Sequence, residues 1–178
     1  DPGVTLQSPL LLLLALPLRL LPMSVVAVAL NGLTAVMAAL TLYLLARSVA
    51  LLPFDRTREA RLRERSDDSR LSLPAAWVPV VLAAALCAFQ LSFWEHATAV
   101  TGEMLDLLVF AYLVRCLLEF RLDRRERWLL KFAFVYGLGV ANNYAMIPFF
   151  PCALIAVIWV KGWEALDWKF WVRLVVAG

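Results

Sequence analysis

The sequence predicts an all-α, polytopic membrane protein, and its composition, its hydropathy and its long uncharged segments carry this prediction. Apolar residues make up 63% of the 178 residues and charged residues 17%, and the mean hydropathy is +0.78. A soluble domain is roughly 45–50% apolar and about 25% charged, and it cannot bury a larger apolar share at this chain length. The composition excludes a water-soluble enzyme, a disordered segment and, despite a net charge of +3, a nucleic-acid partner.

The N-terminal apolar segment, residues 9–21, is short for a membrane span of roughly 20 residues. Pro17 interrupts it and Arg19 adds a charge, so we predict a short interfacial or re-entrant helix. A signal peptide is disfavoured because no basic segment precedes the leucines.

About five membrane spans follow. The first, residues 24–46, contains no charge, and its small residues suit packing against another helix; these are Gly32, Ala35, Ala38 and Ala39. The other predicted spans are 74–93, 103–120, 128–141 and 146–160. The last two are short and meet at Asn142–Asn143, so they are either two helices or one kinked span. A truncated helix begins near Phe170.

Charge is distributed unevenly over the connections between these spans. If the two short helices cross separately, residues 47–73, 121–131 and 161–173 lie on one side and hold nearly all of the 17 basic residues. The positive-inside rule then places these three segments in the cytoplasm. One kinked span would lose this agreement. The whole chain is thus predicted to form a single integral membrane domain.

Six polar residues collect on the opposite, outer side: Glu95, His96, Glu103, Asp106, Asn142 and Asn143. Acidic and amide groups at a membrane boundary cost free energy unless they are hydrated, paired or used. Glu103 and Asp106 are three residues apart and therefore share a helix face. Their carboxylates could bind a divalent cation or position a phosphate, and the two amides could hold sugar hydroxyls.

Each of these residues also has a purely structural interpretation. Thr101 could be the N-cap of a helix whose first turn contains Glu103 and Asp106, where acidic residues are favoured. Asn142–Asn143 could be a left-handed C-cap, and His96 could simply be exposed at the boundary. The three cysteines show no spacing typical of a metal site, and we predict no protein metal ligand.

Three stretches resemble a bacterial family of multi-pass membrane proteins similar to protein O-mannosyltransferases. This family is often described only as a domain of unknown function and is similar to the C-type glycosyltransferase fold. The stretches are Ser8–Pro9–Leu10 with Leu30–Asn31–Gly32–Leu33–Thr34–Ala35, Phe93–Trp94–Glu95–His96–Ala97 with Glu103 and Leu105, and Tyr136–Gly137–Leu138–Gly139 with Asn142–Asn143.

The resemblance implies an enzyme of the bacterial inner membrane that transfers sugar from a polyprenyl-phosphate donor on the outer face. It implies that the six polar residues bind substrate, and it assigns none of them as the catalytic base.

The sequence departs from the family in two places. The family carries its catalytic Asp in a loop before the proline-rich segment, and Asp1 lies too close to Pro9 to correspond to it. The chain therefore resembles the early core of such an enzyme without its catalytic loop, and its enzymatic assignment depends on that loop. Asn143 stands where the family usually has His.

Two further hypotheses remain open. The chain could be a non-catalytic structural subunit of a larger membrane complex, in contact with lipid and with other membrane subunits. A small transporter is less favoured, because within the predicted spans only Arg115 and Glu119 are charged away from the outer boundary, and both lie near one end.

Overall fold

The computed structural model describes residues 8–20, 22–52, 77–100, 102–162 and 172, and all regular structure in these ranges is helical. The all-α prediction is confirmed for this part of the chain. The helices are α1 (Pro9–Ala15), α2 (Met23–Leu51), α3 (Val78–Ala88), α4 (Leu91–Thr98), α5 (Glu103–Asp123), α6 (Arg127–Asn142) and α7 (Phe150–Lys161). A 3-10 segment, Leu16–Leu20, continues α1, and a second, Tyr144–Phe149, leads into α7.

Fewer helices can cross a membrane than the five that the sequence predicts. By length and composition, two segments of the described residues qualify: Ser24–Leu51, with a mean hydropathy of 2.1, and Tyr144–Lys161, with 1.8. The pair α3 and α4 makes a third only if it counts as one span, because it is bent by 66°. The structure therefore supports two or three spans.

Helices α5 and α6 do not qualify as membrane spans, each for a different reason. Helix α5 has 21 residues, but its sequence carries acidic and basic residues in its first turn, its middle and its last turn. Helix α6 has 16 residues, about 24 Å at the usual helical rise, whereas a hydrocarbon core is about 30 Å thick. The sequence predicts both as spans from their hydropathy, although the predicted span 128–141 is already short for a crossing.

Other boundaries also differ from the prediction. The N-terminal helix is short, as expected. Helix α4 occupies part of the connection between the predicted spans 74–93 and 103–120, because Phe93 and Ala97, one turn apart, are both buried and anchor this segment as a helix. The charged residues 53–73 and the predicted C-terminal helix, apart from Val172, lie outside the described residues.

Helix α2 packs through a line of side chains that includes only Ala38 of its four small residues. Met37, Ala38 and Leu44 are buried, whereas Gly32 has open space where a side chain would stand, and Ala35 and Ala39 are exposed. The buried Thr34 and Thr41 hydroxyls, on the same line, donate to the carbonyls of Leu30 and Met37 at 2.8 Å each. These bonds allow polar side chains to be buried inside an apolar helix pair.

Helices α6 and α7 are two antiparallel helices, not one kinked span. The Arg124 guanidinium, just before α6, donates to the carbonyl of Val160 at 3.1 Å, and Lys161 Nζ lies 3.4 Å from Glu126 Oε1. The end of α7 therefore returns to the start of α6. Arg124 itself ends α5 in the left-handed conformation, at φ 53°.

Basic side chains lie at one end of the α5–α6–α7 bundle, and a carboxylate with its amide partners lies at the other. We call the end at Arg124, Arg127 and Lys161 the basic end and the end at Asp106 and Asn142 the carboxylate end. Along α5, Asp106 and Arg124 are 18 residues apart, about 27 Å at the usual helical rise. The sequence predicts this separation of the two groups, and the assignment of the basic end to the cytoplasm stays a prediction.

Gly139 marks the closest contact between α6 and its neighbours. A Cβ atom there would lie 3.1 Å from Val109 Cγ1 and 3.2 Å from Met146 Cε. We expect Gly139→Leu to lower the free energy of unfolding by about 1–3 kcal/mol, because extra carbon atoms overpack this contact. The thermal midpoint in detergent should fall by several degrees. The matched control, Gly32→Leu, adds the same group in open space, and an equal fall in both variants would contradict the packing.

Candidate functional site

Asp106 lies between the side chains of two consecutive asparagines at the carboxylate end. Asn142 Nδ2 donates to Asp106 Oδ1 at 2.8 Å, and Asn143 Nδ2 donates to Asp106 Oδ2 at 2.6 Å. Both carboxylate oxygens therefore accept one amide N–H each, and bonds to a charged acceptor are stronger than neutral ones. We call Asp106, Asn142 and Asn143 the carboxylate–amide cluster.

The other end of each amide binds backbone. Asn142 Oδ1 accepts the N–H of Leu10 at 3.1 Å, one of the first-turn donors of α1 that have no partner inside the helix. Asn143 Oδ1 accepts the N–H of Ala145 at 2.9 Å. Asn142 is only 2% exposed, so a loss of either partner would leave a buried polar group unsatisfied. The cluster thus joins α1, α5 and the turn after α6.

The two structural interpretations of these residues are only partly correct. Glu103 and Asp106 are in the first turn of α5, but the N-cap is Gly102, which has no side-chain cap, and Thr101 lies outside the described residues. Asn143 has φ −144°, which is extended rather than left-handed, and its side chain caps the following 3-10 helix.

A second polar contact lies beside this cluster and connects α4 to α5. His96 Nδ1 pairs with Glu103 Oε2, and the two side chains are 42% and 62% exposed. Glu103 and Asp106 share a face of α5, with Cβ atoms three residues apart separated by about 5–6 Å. Of the six predicted site residues, five therefore fall into two neighbouring groups. Glu95 is exposed and makes no side-chain bond among those described, because adjacent helical residues diverge in direction.

The start of α1 also touches the start of α5, a contact that the sequence analysis missed. An ideal Cβ atom on Gly102 would lie within 2.1 Å of Ser8 Oγ and 3.1 Å of Ser8 Cβ. A side chain at position 102 would therefore displace Ser8. A single glycine directly before a predicted helix was the available signal, but nothing in the sequence identifies its partner.

An open apolar groove of about 410 Å³ lies between α2, α5 and α6. Leu108 and Tyr112 follow Asp106 on α5 by two and six residues, about 3–9 Å along the helix axis. The lining residues come from α2, α5 and α6: Leu40, Tyr43, Leu44, Leu108, Val109, Tyr112 and Val135. One wall of the groove is thus on the helix that carries Asp106.

The donor set at this end does not fit a protein-bound metal ion. In the part of the chain that the structure describes, no three His, Cys, Asp or Glu residues are grouped as metal ligands. Each oxygen of Asp106 accepts an amide N–H, and the remaining pair is one His with one Glu. We derive no step through a metal.

The comparisons with known proteins give one match. Residues 5–166 match a family model described as the N-terminal domain of protein O-mannosyl-transferase TMEM260. This range contains the carboxylate–amide cluster, the His96–Glu103 pair and the groove. No curated protein and no solved structure matches the chain.

The donor and acceptor roles in the carboxylate–amide cluster can be tested by exchanging Asp and Asn between positions 106 and 143. We expect Asp106→Asn to lower the free energy of unfolding by about 1–3 kcal/mol, because one carboxylate oxygen becomes an amide donor that faces one of the two asparagine donors, and that donor loses its acceptor. Adding Asn143→Asp returns a carboxylate beside an amide and should restore part of this loss. Thermal unfolding of the single and double variants measures both effects.

Glu95→Gln is the matched control, since it makes the same change at an exposed residue. An Asp106→Asn variant as stable as the Glu95→Gln variant would contradict the cluster.

Proposed function

The chain belongs to the protein O-mannosyl-transferase TMEM260 N-terminal domain family, and from this membership we propose that it forms part of a membrane glycosyltransferase. In this proposal the enzyme transfers sugar from a polyprenyl-phosphate donor to a hydroxyl acceptor. The observation that carries the proposal is the carboxylate–amide cluster on α5 and α6, together with an apolar groove that the same two helices line with α2. A lipid-linked sugar has the same two parts, a polar head and a long apolar chain.

The cluster supplies the groups that recognise a sugar. A carboxylate can accept about four hydrogen bonds, and Asp106 uses two of these positions for the amides. The remaining positions can accept sugar hydroxyls. Asn143 is half-buried and keeps a second amide N–H for a donor phosphate or sugar oxygen. Because the asparagines are fixed by backbone donors, these groups are oriented before a substrate arrives.

The pair of His96 and Glu103 stands at the same end of α5 and completes the proposed binding surface with Glu95. We assign the six residues to substrate binding. Deprotonation of the acceptor hydroxyl is assigned to a residue outside these six, so the cluster acts by positioning the donor. The proposed location is the bacterial inner membrane, with the carboxylate end on the outer side.

A second candidate function is a non-catalytic subunit of a larger membrane complex. It is favoured by the exposed small-residue face of α2, at Gly32, Ala35 and Ala39. Small residues allow close helix contacts in a membrane, and this face is unused by the described residues. This function predicts that disruption of the face releases other subunits, and that variants of the cluster leave sugar transfer unchanged.

Sugar transfer is the direct test of the first function. In membranes that contain the full-length protein, we expect Asp106→Ala to lower transfer from a labelled polyprenyl-phosphate sugar by about 100-fold, because misplacement of about 1 Å has effects of this size. Glu103→Ala should lower it less, since its contact is exposed. The KM for the donor should rise in both variants.

The control is Asp123→Asn, which removes a carboxylate at the basic end of the same helix, and it should leave transfer unchanged. Unchanged transfer in both Asp106→Ala and Glu103→Ala would remove these residues from the site.

The groove has a separate test. We expect Leu40→Trp to fill the groove and to lower transfer from long-chain donors several-fold, with little effect on donors of one or two isoprene units. Val36→Trp, one turn away on an exposed part of α2, is the matched control. The ratio of activities with long and short donors is the measurement. An unchanged ratio in Leu40→Trp would show that the lipid chain lies elsewhere.

A further inference from the structure

One face of α6 at the basic end carries two cations that alternate with two apolar residues. Arg127, Leu130, Lys131 and Phe134 follow the helical spacing of three and four residues and all face outward. Arg127 has a side chain 55% exposed, Lys131 is exposed, and Leu130 and Phe134 are 36% and 55% exposed. The opposite face of α6 is buried through Leu129, Phe132 and Ala133.

The two cations are held at one level by an aromatic ring. Lys131 Nζ lies 4.5 Å from the centre of the Trp128 ring, and the Arg127 guanidinium carbon lies 5.7 Å from it. Cation–π contacts of this kind stabilise the position of a charge, and Trp is typical of the membrane–water boundary. The ring therefore marks the level at which the helix leaves the hydrocarbon.

Lys131 is the cation that is available to a ligand. Arg127 also binds the Asp123 carboxylate at 3.3 Å, which neutralises part of its charge. For Lys131 the structure gives the ring contact and, among the described residues, no salt bridge to a carboxylate. The charge on this face is therefore concentrated at one ammonium group.

We propose that this face of α6 binds an anionic phospholipid, with the headgroup phosphate at Lys131 and an acyl chain along Leu130 and Phe134. The arrangement supports a lipid over other occupants, because the Lys131 ammonium lies at the Trp128 ring, towards the basic end. Phe134 lies three residues further along the helix than Lys131, about 4.5 Å. A free anion would not need the apolar residues, and a second copy of the chain would need an acidic partner surface. The selectivity should weaken as salt rises, because salt screens exposed charges.

Spin-labelled lipids test this assignment. The chain is reconstituted in phosphatidylcholine vesicles that contain a trace of spin-labelled phosphatidylglycerol or spin-labelled phosphatidylcholine. Electron paramagnetic resonance then gives the protein-bound fraction of each label. We expect the wild-type chain to prefer phosphatidylglycerol and Lys131→Gln to lower this preference about fivefold, which corresponds to ~1 kcal/mol for one cation near an anionic lipid. Lys131→Arg keeps the charge and should keep the preference.

Arg47→Gln is the matched control, since Arg47 is an exposed cation near the end of α2. A preference that is lost in Lys131→Gln and kept in Arg47→Gln supports the proposal. An equal loss in both variants, or no loss in Lys131→Gln, overturns it. Inorganic phosphate is added in a further arm, and if it displaces the labelled phosphatidylglycerol at constant ionic strength, the site binds phosphate rather than a lipid.

Discussion

The Asp106 carboxylate accepts one N–H from each of two side-chain amides, and each amide accepts a backbone N–H from another segment. Two hydrogen bonds therefore meet at the acidic residue and two more at its asparagine partners, and together they connect the first turn of α1, the first turn of α5 and the turn after α6. Networks of this kind are rigid when every member is satisfied and unstable when one is missing. The proposed donor site depends on this network, because the groups that would meet a sugar are the same groups that hold three segments together.

The residues of this network could be predicted from the sequence, but the hydrogen bonds between them could not. Asp106 and Asn142–Asn143 could be placed at one end of the bundle because basic residues mark the other end, and charge is a long-range property of the whole chain. The bonds between them depend on how α5 and α6 pack, and no local pattern contains this. The same holds for Gly102, whose neighbour Ser8 lies far away in the sequence, and for His96, whose partner is on the next helix.

The sequence predicts about five membrane spans, and the structure supports two or three. The apolar segments within the described residues are helical, although the predicted span 74–93 is divided between α3 and α4. Helix α2 extends over 23–51, against the predicted 24–46. Whether a helix crosses a membrane also depends on length and on the position of charges, and α6 is too short and α5 too charged for an independent span. Such helices are tolerated in a membrane where neighbours cover their polar parts. Here α5 is packed between α2 on one side and α6 and α7 on the other.

The bond from the Leu10 N–H to Asn142 joins two residues separated by 132 positions in the chain. During synthesis, which proceeds at about 5–20 residues per second, α1 is made before α6 and cannot form this bond until the asparagine turn has left the ribosome. The final position of α1 is therefore set by a residue that is translated many seconds after it.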